Sequence, residues 1–451
     1  MLSARSLNVL WLAPAAVLAA LEVDLSSPDS IKAAAKQVAF DLMTYYDGNE
    51  TGHVPGILPG PPPNGDYYWW QGGALWGTMI DYWHYTGDET YNDVTFDAMQ
   101  FQVGEHDDYA PTNWTLSLGN DDQSFWGMSA MLAAESNFRD PSRDKPQWVA
   151  LAQAVWNEQV FRHDDACGGG LRWQVFSTNK GYDYKNTIAN GCFFNIGARL
   201  ARYTHNSTYA DWATRTWDWI MDLNYIDKDW NVFDGGHIPY NCTDINRQQY
   251  SYNAAILLSG AAYMYDFTNQ SKDWEDRISG LIDGMERVFF VNGTLYEPSC
   301  EGGFCSTDML SYKGYVHRWL AVVAQVAPFT KDRIMKLLRS SAEAAVKQCT
   351  GGPNGRQCGF HWTTGVYDGK TGAGQEMNVL GALCSLLIDN AKAPVTNTTG
   401  GTSIGDPNAG AHAPTLPQAA PVTTGDRAGA GIVTALILGT TIIGAVWMAL
   451  D

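Results

Sequence analysis

The 451-residue sequence is short of positive charge. Lys and Arg number 29 against 48 Asp and Glu, a formal net charge of −19. Nucleic-acid binding needs basic patches, so this balance argues against a nucleic-acid partner. It suits solubility outside the cell. No Cys-x-x-Cys pair occurs, and the nine histidines are scattered. That argues against structural zinc, and neither a metal nor a cofactor is expected. Strand signals are thin: only Gly170 to Phe176 and Asn231 to Phe233 read as hairpin pieces. No Pro/Ser/Gly-rich linker divides the interior, which argues against several separate domains.

The two ends differ from the interior. Residues 1–20 read as a secretory signal peptide. Arg5 begins it, Leu7 to Leu18 form a short apolar core, and Ala19 and Ala20 suit cleavage. Residues 393–427 are rich in Pro, Gly, Ala and Thr, and 428–451 form an apolar tail with no Lys or Arg after it. A small-residue spacer before a terminal apolar run is the pattern of GPI attachment. An ordinary membrane anchor is the alternative, but it usually keeps basic flanks on the cytoplasmic side. Asn408, Gly410 and Gly425 are candidate attachment residues. Export also fits the seven glycosylation sequons at Asn49, Asn113, Asn206, Asn241, Asn269, Asn292 and Asn397. The eight cysteines are an even number, as a disulfide framework requires. Cys300 with Cys305, and Cys349 with Cys358, flank turn-like loops and read as local staples. Cys167, Cys192, Cys242 and Cys384 cannot be paired from sequence.

Between the ends, residues 21–392 carry a weak internal repeat. Six segments open on a polar, glycine or aromatic cluster and continue as a small-residue helix. They start near Trp69, Asp121, Thr187, Gln249, Ser311 and Gly374. More polar stretches with helical spacing alternate with them: Ile31 to Tyr45, Tyr91 to Glu105, Pro146 to Phe161, Tyr209 to Leu223, Trp274 to Phe289 and Asp332 to Lys347. A helix apolar all round is buried, and one with a charged face is exposed. Six inner and six outer helices make an all-α, (α/α)6 toroid. A less regular helical solenoid is the alternative.

In such a toroid the loops before the inner helices share one face. That gathers Asp66, Trp69, Trp70 and Gln71 near Asp121 and Asp122, with Asn186, Asn190, Tyr252, Asn253, Lys313, Gln375 and Glu376. Asn120 and Gln123 flank the aspartate pair and could orient it. Rings stack on sugar faces, and amides and acids hydrogen-bond hydroxyls. Glycoside cleavage needs two carboxyl groups. A separation of about 5–5.5 Å favours direct attack and retention, and a wider gap admits water and gives inversion. Adjacent residues, with Cα atoms about 3.8 Å apart, reach the shorter distance more readily, so the pair points to retention. A helix N-terminus would stabilise one anion, and that anion would raise the other's pKa.

Plainer readings exist for each residue. Asp121 or Asp122 could simply cap a helix. Asp107-Asp108 and Asp164-Asp165 read as solvated pairs. Trp217 and Trp219 read as core, Lys313 could snorkel at the surface, and His317 reads as a packed histidine. A glycan-binding protein without catalysis is the rival to an enzyme.

The stretches Gly65-Asp66-Tyr67-Tyr68-Trp69-Trp70-Gln71-Gly72-Gly73-Ala74-Leu75-Trp76, Gly119-Asn120-Asp121-Asp122-Gln123 and Tyr184-Lys185-Asn186-Thr187-Ile188-Ala189-Asn190-Gly191 resemble glycoside hydrolase family 76, in particular its fungal GPI-anchored cell-wall members. The resemblance runs from about Leu21 to Lys392 and includes both terminal signals. It implies an (α/α)6 fold and retaining cleavage of α-1,6-mannosides, with Asp121 as nucleophile and Asp122 as acid/base. It further implies action on mannan or the mannose core of GPI glycans, transfer to a wall β-glucan acceptor, and a place on the outer face of the plasma membrane and in the cell wall.

Overall fold

The computed structural model describes residues 20–411 and 423–450. The expected signal peptide, apart from Ala20, lies outside these residues, as does part of the expected linker. Twelve helices form the body. The outer ones are α1 (Pro28–Met43), α3 (Asn92–Phe101), α6 (Trp148–Arg162), α8 (Ser207–Asp222), α10 (Lys272–Phe289) and α12 (Lys331–Val346). The inner ones are α2 (Trp69–Thr86), α5 (Asn120–Glu135), α7 (Thr187–Thr204), α9 (Ser251–Phe267), α11 (Tyr312–Val326) and α13 (Ala373–Ser385). A single turn, α4 (Thr112–Thr115), lies in the loop before α5. Each inner helix packs on the next, and α13 packs back on α2, which closes the ring. The fold is the (α/α)6 toroid expected from the repeat.

The two helix classes differ in burial as their sequences require. Every residue of α9 from Ser251 to Tyr265 is buried. In α10 only one stripe is buried, including Trp274, Ile278, Leu281, Ile282, Met285 and Phe289, at the three- and four-residue spacing of a one-sided helix. Small residues set the ring's tightness. A Cβ added at Gly381 of α13 would stand 2.9 Å from the carbonyl oxygen of Gly314 in α11. The two backbones therefore touch, which only glycine allows there.

Strands are few and lie elsewhere than expected. Tyr184–Asn186 (β1) pairs antiparallel with Gly235–His237 (β2). Phe290–Val291 (β3) pairs with Thr294–Leu295 (β4) around Asn292 and Gly293, both at positive φ, a turn that favours Asn-Gly. Gly170 to Phe176 and Asn231 to Phe233 supply only single bridges, Gln174 to Gly119 and Val232 to Ile226.

Disulfides join Cys300 to Cys305 and Cys349 to Cys358, as expected, and Cys167 to Cys242; Cys192 and Cys384 are free and buried. All seven sequon asparagines are exposed.

The folded body runs past residue 392. Residues 393–411 form a strap, not an open linker. The Val395 N–H donates to Glu135 O at 2.9 Å, and Asn397 N–H to Tyr203 O at 3.1 Å. Farther on, Asp406 N–H donates to Gln153 Oε1 at 2.6 Å and Asn157 Nδ2 to Ala409 O at 2.7 Å. Asn408 and Gly410 belong to this strap. Gly425 lies in α14 (Thr424–Leu450), whose segment Thr424–Met448 is the one helix among the described residues long and apolar enough to cross a membrane.

Candidate active site

The site begins where α5 begins. Gly119 is extended, its neighbour Asn120 donates its N–H to Trp173 O at 2.9 Å, and the helix starts. Asp121 and Asp122 therefore occupy the first turn, where the helix dipole favours negative charge. Asp122 reaches back to accept the Gly119 N–H at 2.8 Å. It caps the helix and faces the cleft as well, so the plainer reading of this residue is half of its role. Asp121 Oδ2 accepts the Trp173 indole N–H at 3.1 Å, and Asp121 Oδ1 is buried with no partner among the described residues.

Both carboxylates line a cleft of about 640 Å³ at the N-terminal end of the inner helices. Trp70 lies on it, 4.6 Å from the Phe125 ring, and its indole N–H donates to Asp308 Oδ1 at 3.1 Å. Trp69 also lines it but is largely packed, stacked on Trp126 and tied through its indole N–H to Gln102. Also on the lining, Tyr252 and Tyr312 stack face to face, with centroids 3.9 Å apart and planes within 8°. Asp234 accepts from Tyr184 Oη at 2.8 Å, with Asn253 Nδ2 behind it at 3.4 Å. Asn186, the N-cap of α7, completes the expected residues on the wall. Among the described residues four carboxylates line this space, and no Lys, Arg or His does.

Burial pushes the carboxyls up. Desolvation lifts Asp122 to about 7, with the nearby Asp308 charge adding to it. Asp121 is raised well above the usual carboxylate range, first by desolvation and then by Asp122, while the Trp173 N–H opposes the shift. Desolvation also raises Asp234 and Asp308. Two adjacent acids in one dry wall resist double ionisation. That leaves the pair with a proton to give.

Several residues expected at the site stand off the cleft. Asp66 is exposed on its loop. Gln71 is buried and accepts the Tyr68 N–H, capping α2. Asn120 holds Arg172 O and is held by Arg162. Gln123 bonds Asp108 O, Glu158 and Arg162. Asn190 clamps the backbone of Leu171. Lys313 is buried in an ion pair with Glu301 at 2.7 Å and lies over the rings of Phe360 and Trp362, so it does not snorkel. Gln375 and Glu376 are buried; Glu376 accepts the Cys358 N–H. For those on the inner helices the reason is common. A helix turns about 100° per residue, so only part of each opening cluster faces the axis. The rest holds the loops in place.

Other plain readings divide. His317 is packed between Ser385 and Ser341, and Trp217 and Trp219 are core. Asp108, however, is buried, and Asp164 pairs with Lys185 and Arg172. Neither is a fully solvated acid, whereas their neighbours Asp107 and Asp165 are exposed as expected. The cleft also takes in Tyr68, Trp114, Trp173, Tyr184, Asp234, Tyr250, Asp308 and Tyr312, none of which the repeat singles out. Tyr68, Tyr250 and Tyr312 are sequence neighbours of expected residues. Asp308 carries no sequence signal.

Residues 30–398 match the sequence profile of Glycosyl hydrolase family 76. The chain is 44% identical over 434 residues to mannan endo-1,6-alpha-mannosidase DCW1 of Saccharomyces cerevisiae, covering 95% of each chain. It is 37% identical over 454 residues to mannan endo-1,6-alpha-mannosidase DFG5 of Candida albicans, covering 98% of each. Among solved structures, Dfg5 from Chaetomium thermophilum in complex with glucosamine superimposes with a TM-score of 0.85 at 57% identity, over 87% of this chain and 98% of that one. An inactive variant of an alpha-1,6-mannanase from a Salegentibacter species, in complex with alpha-1,6-mannotetrose, shares the fold at 16% identity and a TM-score of 0.63, over 79% of this chain and 99% of that one. The chain belongs to glycosyl hydrolase family 76 and is a glycoside hydrolase by that membership.

Proposed function

We propose that this protein is a retaining, endo-acting α-1,6-mannosidase that works on mannan or on the mannose core of GPI glycans in fungal cell-wall building. The observation that carries this reading is the aspartate pair on the wall of an open, aromatic-lined cleft. The curated relatives, named as mannan endo-1,6-alpha-mannosidases, support the linkage. An open cleft admits the interior of a chain, which suits endo action.

Asp121 attacks the anomeric carbon as the C–O bond to the leaving sugar breaks, and Asp122 gives its proton to the departing oxygen. The product is a mannosyl ester on Asp121. Asp122, now a carboxylate, then takes a proton from the group that attacks the ester. Water there gives hydrolysis, and a sugar hydroxyl gives transfer. A wall β-glucan is the acceptor that fits the resemblance. The secretory signal and the apolar terminal helix fit export followed by GPI anchoring on the outer face of the plasma membrane.

The test is to incubate the purified protein with α-1,6-mannan or a GPI-glycan fragment, with and without a glucan acceptor. Cleavage that is lost in Asp121→Asn and Asp122→Asn supports the reading. Wild-type turnover in either variant defeats it. A protein that binds mannan without cleaving it would place the chain with glycan-binding wall proteins.

A further inference from the structure

We infer that Asp308 is a third carboxylate of the reaction, a positioning residue whose charge keeps the proton on Asp122 until the leaving oxygen takes it. This deepens the proposed function and rests on it. Asp308 lies just before the turn that leads into α11 and lines the same cleft as Asp121 and Asp122.

Its placement is fixed by Trp70. The indole N–H donates to Asp308 Oδ1 at 3.1 Å, and the same ring packs 4.6 Å from Phe125. Phe125 is one helical turn beyond the aspartate pair on the same side of α5. One tryptophan therefore ties the loop carrying Asp308 to the turn carrying Asp122. An indole N–H only donates, so the contact favours Asp308 as an anion and opposes the burial that raises its pKa.

Among the described residues that line the cleft, no Lys, Arg or His cancels that anion. The titratable groups among them that line the cleft with the acids are carboxyls and phenols, Asp234 and Tyr252 included. Asp121 stands beside Asp122, and the Cys192 thiol of α7 interacts with both. The phenols of Tyr312 and Tyr315 on α11 feel the Asp308 charge. A like charge in a dry site makes its neighbour hold a proton, and Asp308 is the charge that adds to burial in raising Asp122.

The test is the pH dependence of kcat on α-1,6-mannan for the wild type, Asp308→Asn and Asp308→Glu. Removing the charge lets Asp122 ionise at lower pH. The alkaline limb of Asp308→Asn is expected to move toward acid by about one pH unit. KM should stay within about twofold, and Asp308→Glu should restore the limb. If Asp308→Asn is too slow on mannan, an aryl α-mannobioside with a good leaving group needs little acid help, and activity recovered there supports the inference. A folded Asp308→Asn with raised KM and an unmoved limb overturns it, because that is a sugar-binding role alone. Failure on both substrates with an unchanged melting temperature also overturns it. An inactive wild type would sink the proposed function and this inference together, whereas an active wild type with an unmoved limb sinks this inference alone.

Discussion

The indole N–H of Trp173 points at Asp121 Oδ2 from 3.1 Å, across 52 residues of sequence. It is the one side-chain donor to Asp121 among the described residues, and it opposes part of the upward shift that burial and Asp122 impose on this acid. A nucleophile must be charged, so this contact matters for rate. A hydrogen bond to a charged group contributes roughly 1.5–3 kcal/mol. Trp173→Phe should lower kcat by roughly ten- to a hundredfold with little change in melting temperature. Steady-state kinetics with a thermal melt checks this, and an unchanged kcat would remove Trp173 from the account.

Buried acids also set a pH dependence of stability. Asp122 is pushed to about 7, and Glu297 and Glu376 to about 8, in each case chiefly by desolvation. A raised folded-state pKa means the fold prefers the protonated group. Its contribution is complete below the unfolded value of about 4 and is lost as pH rises through the folded value. The melting temperature should therefore be higher near pH 5 than at pH 8. Asp122→Asn should narrow that gap, because an amide has no proton to lose. Calorimetry across this range, on both proteins, reads the effect.

The stacked Tyr252 and Tyr312 form part of the cleft's aromatic lining. Stacked rings are worth about 1 kcal/mol beyond their buried area. Tyr252→Ala is expected to raise KM for mannan oligosaccharides roughly fivefold or more, with a smaller effect on kcat. Titration calorimetry with an Asp121→Asn background measures the binding directly.

The disulfide between Cys167 and Cys242 spans 75 residues and clasps the loops on either side of β1 and β2, the strands that carry Tyr184 and lead to Asp234. Replacing both cysteines by serine should cost about 4 kcal/mol of stability by the loop-length relation. Denaturant unfolding checks that figure.

The toroid was legible because α2, α5, α7, α9, α11 and α13 are apolar and small on all sides, while α10 and its outer counterparts are not. The aspartate pair was legible because it opens an inner helix. The limits were equally physical. Gln71, Asn120, Gln123, Asn190 and Lys313 share those openings but turn away from the axis and hold loops. Asp234 and Asp308 reach the cleft only because the ring closes, and no period in the sequence marks a loop residue. Residues 393–411 have a linker's composition, yet backbone bonds to Glu135, Tyr203 and Gln153 dock them. Composition reports a segment's flexibility in isolation and says nothing of a groove waiting for it.

The measurement that bears most directly on the central claim is proton NMR of the sugar end released in the first minutes of α-1,6-mannan cleavage, before mutarotation. Attack by Asp121 followed by water at the mannosyl ester inverts the centre twice, so the first-formed end should be α. A first-formed β end would mean a single displacement by water, and Asp121 would not be the nucleophile.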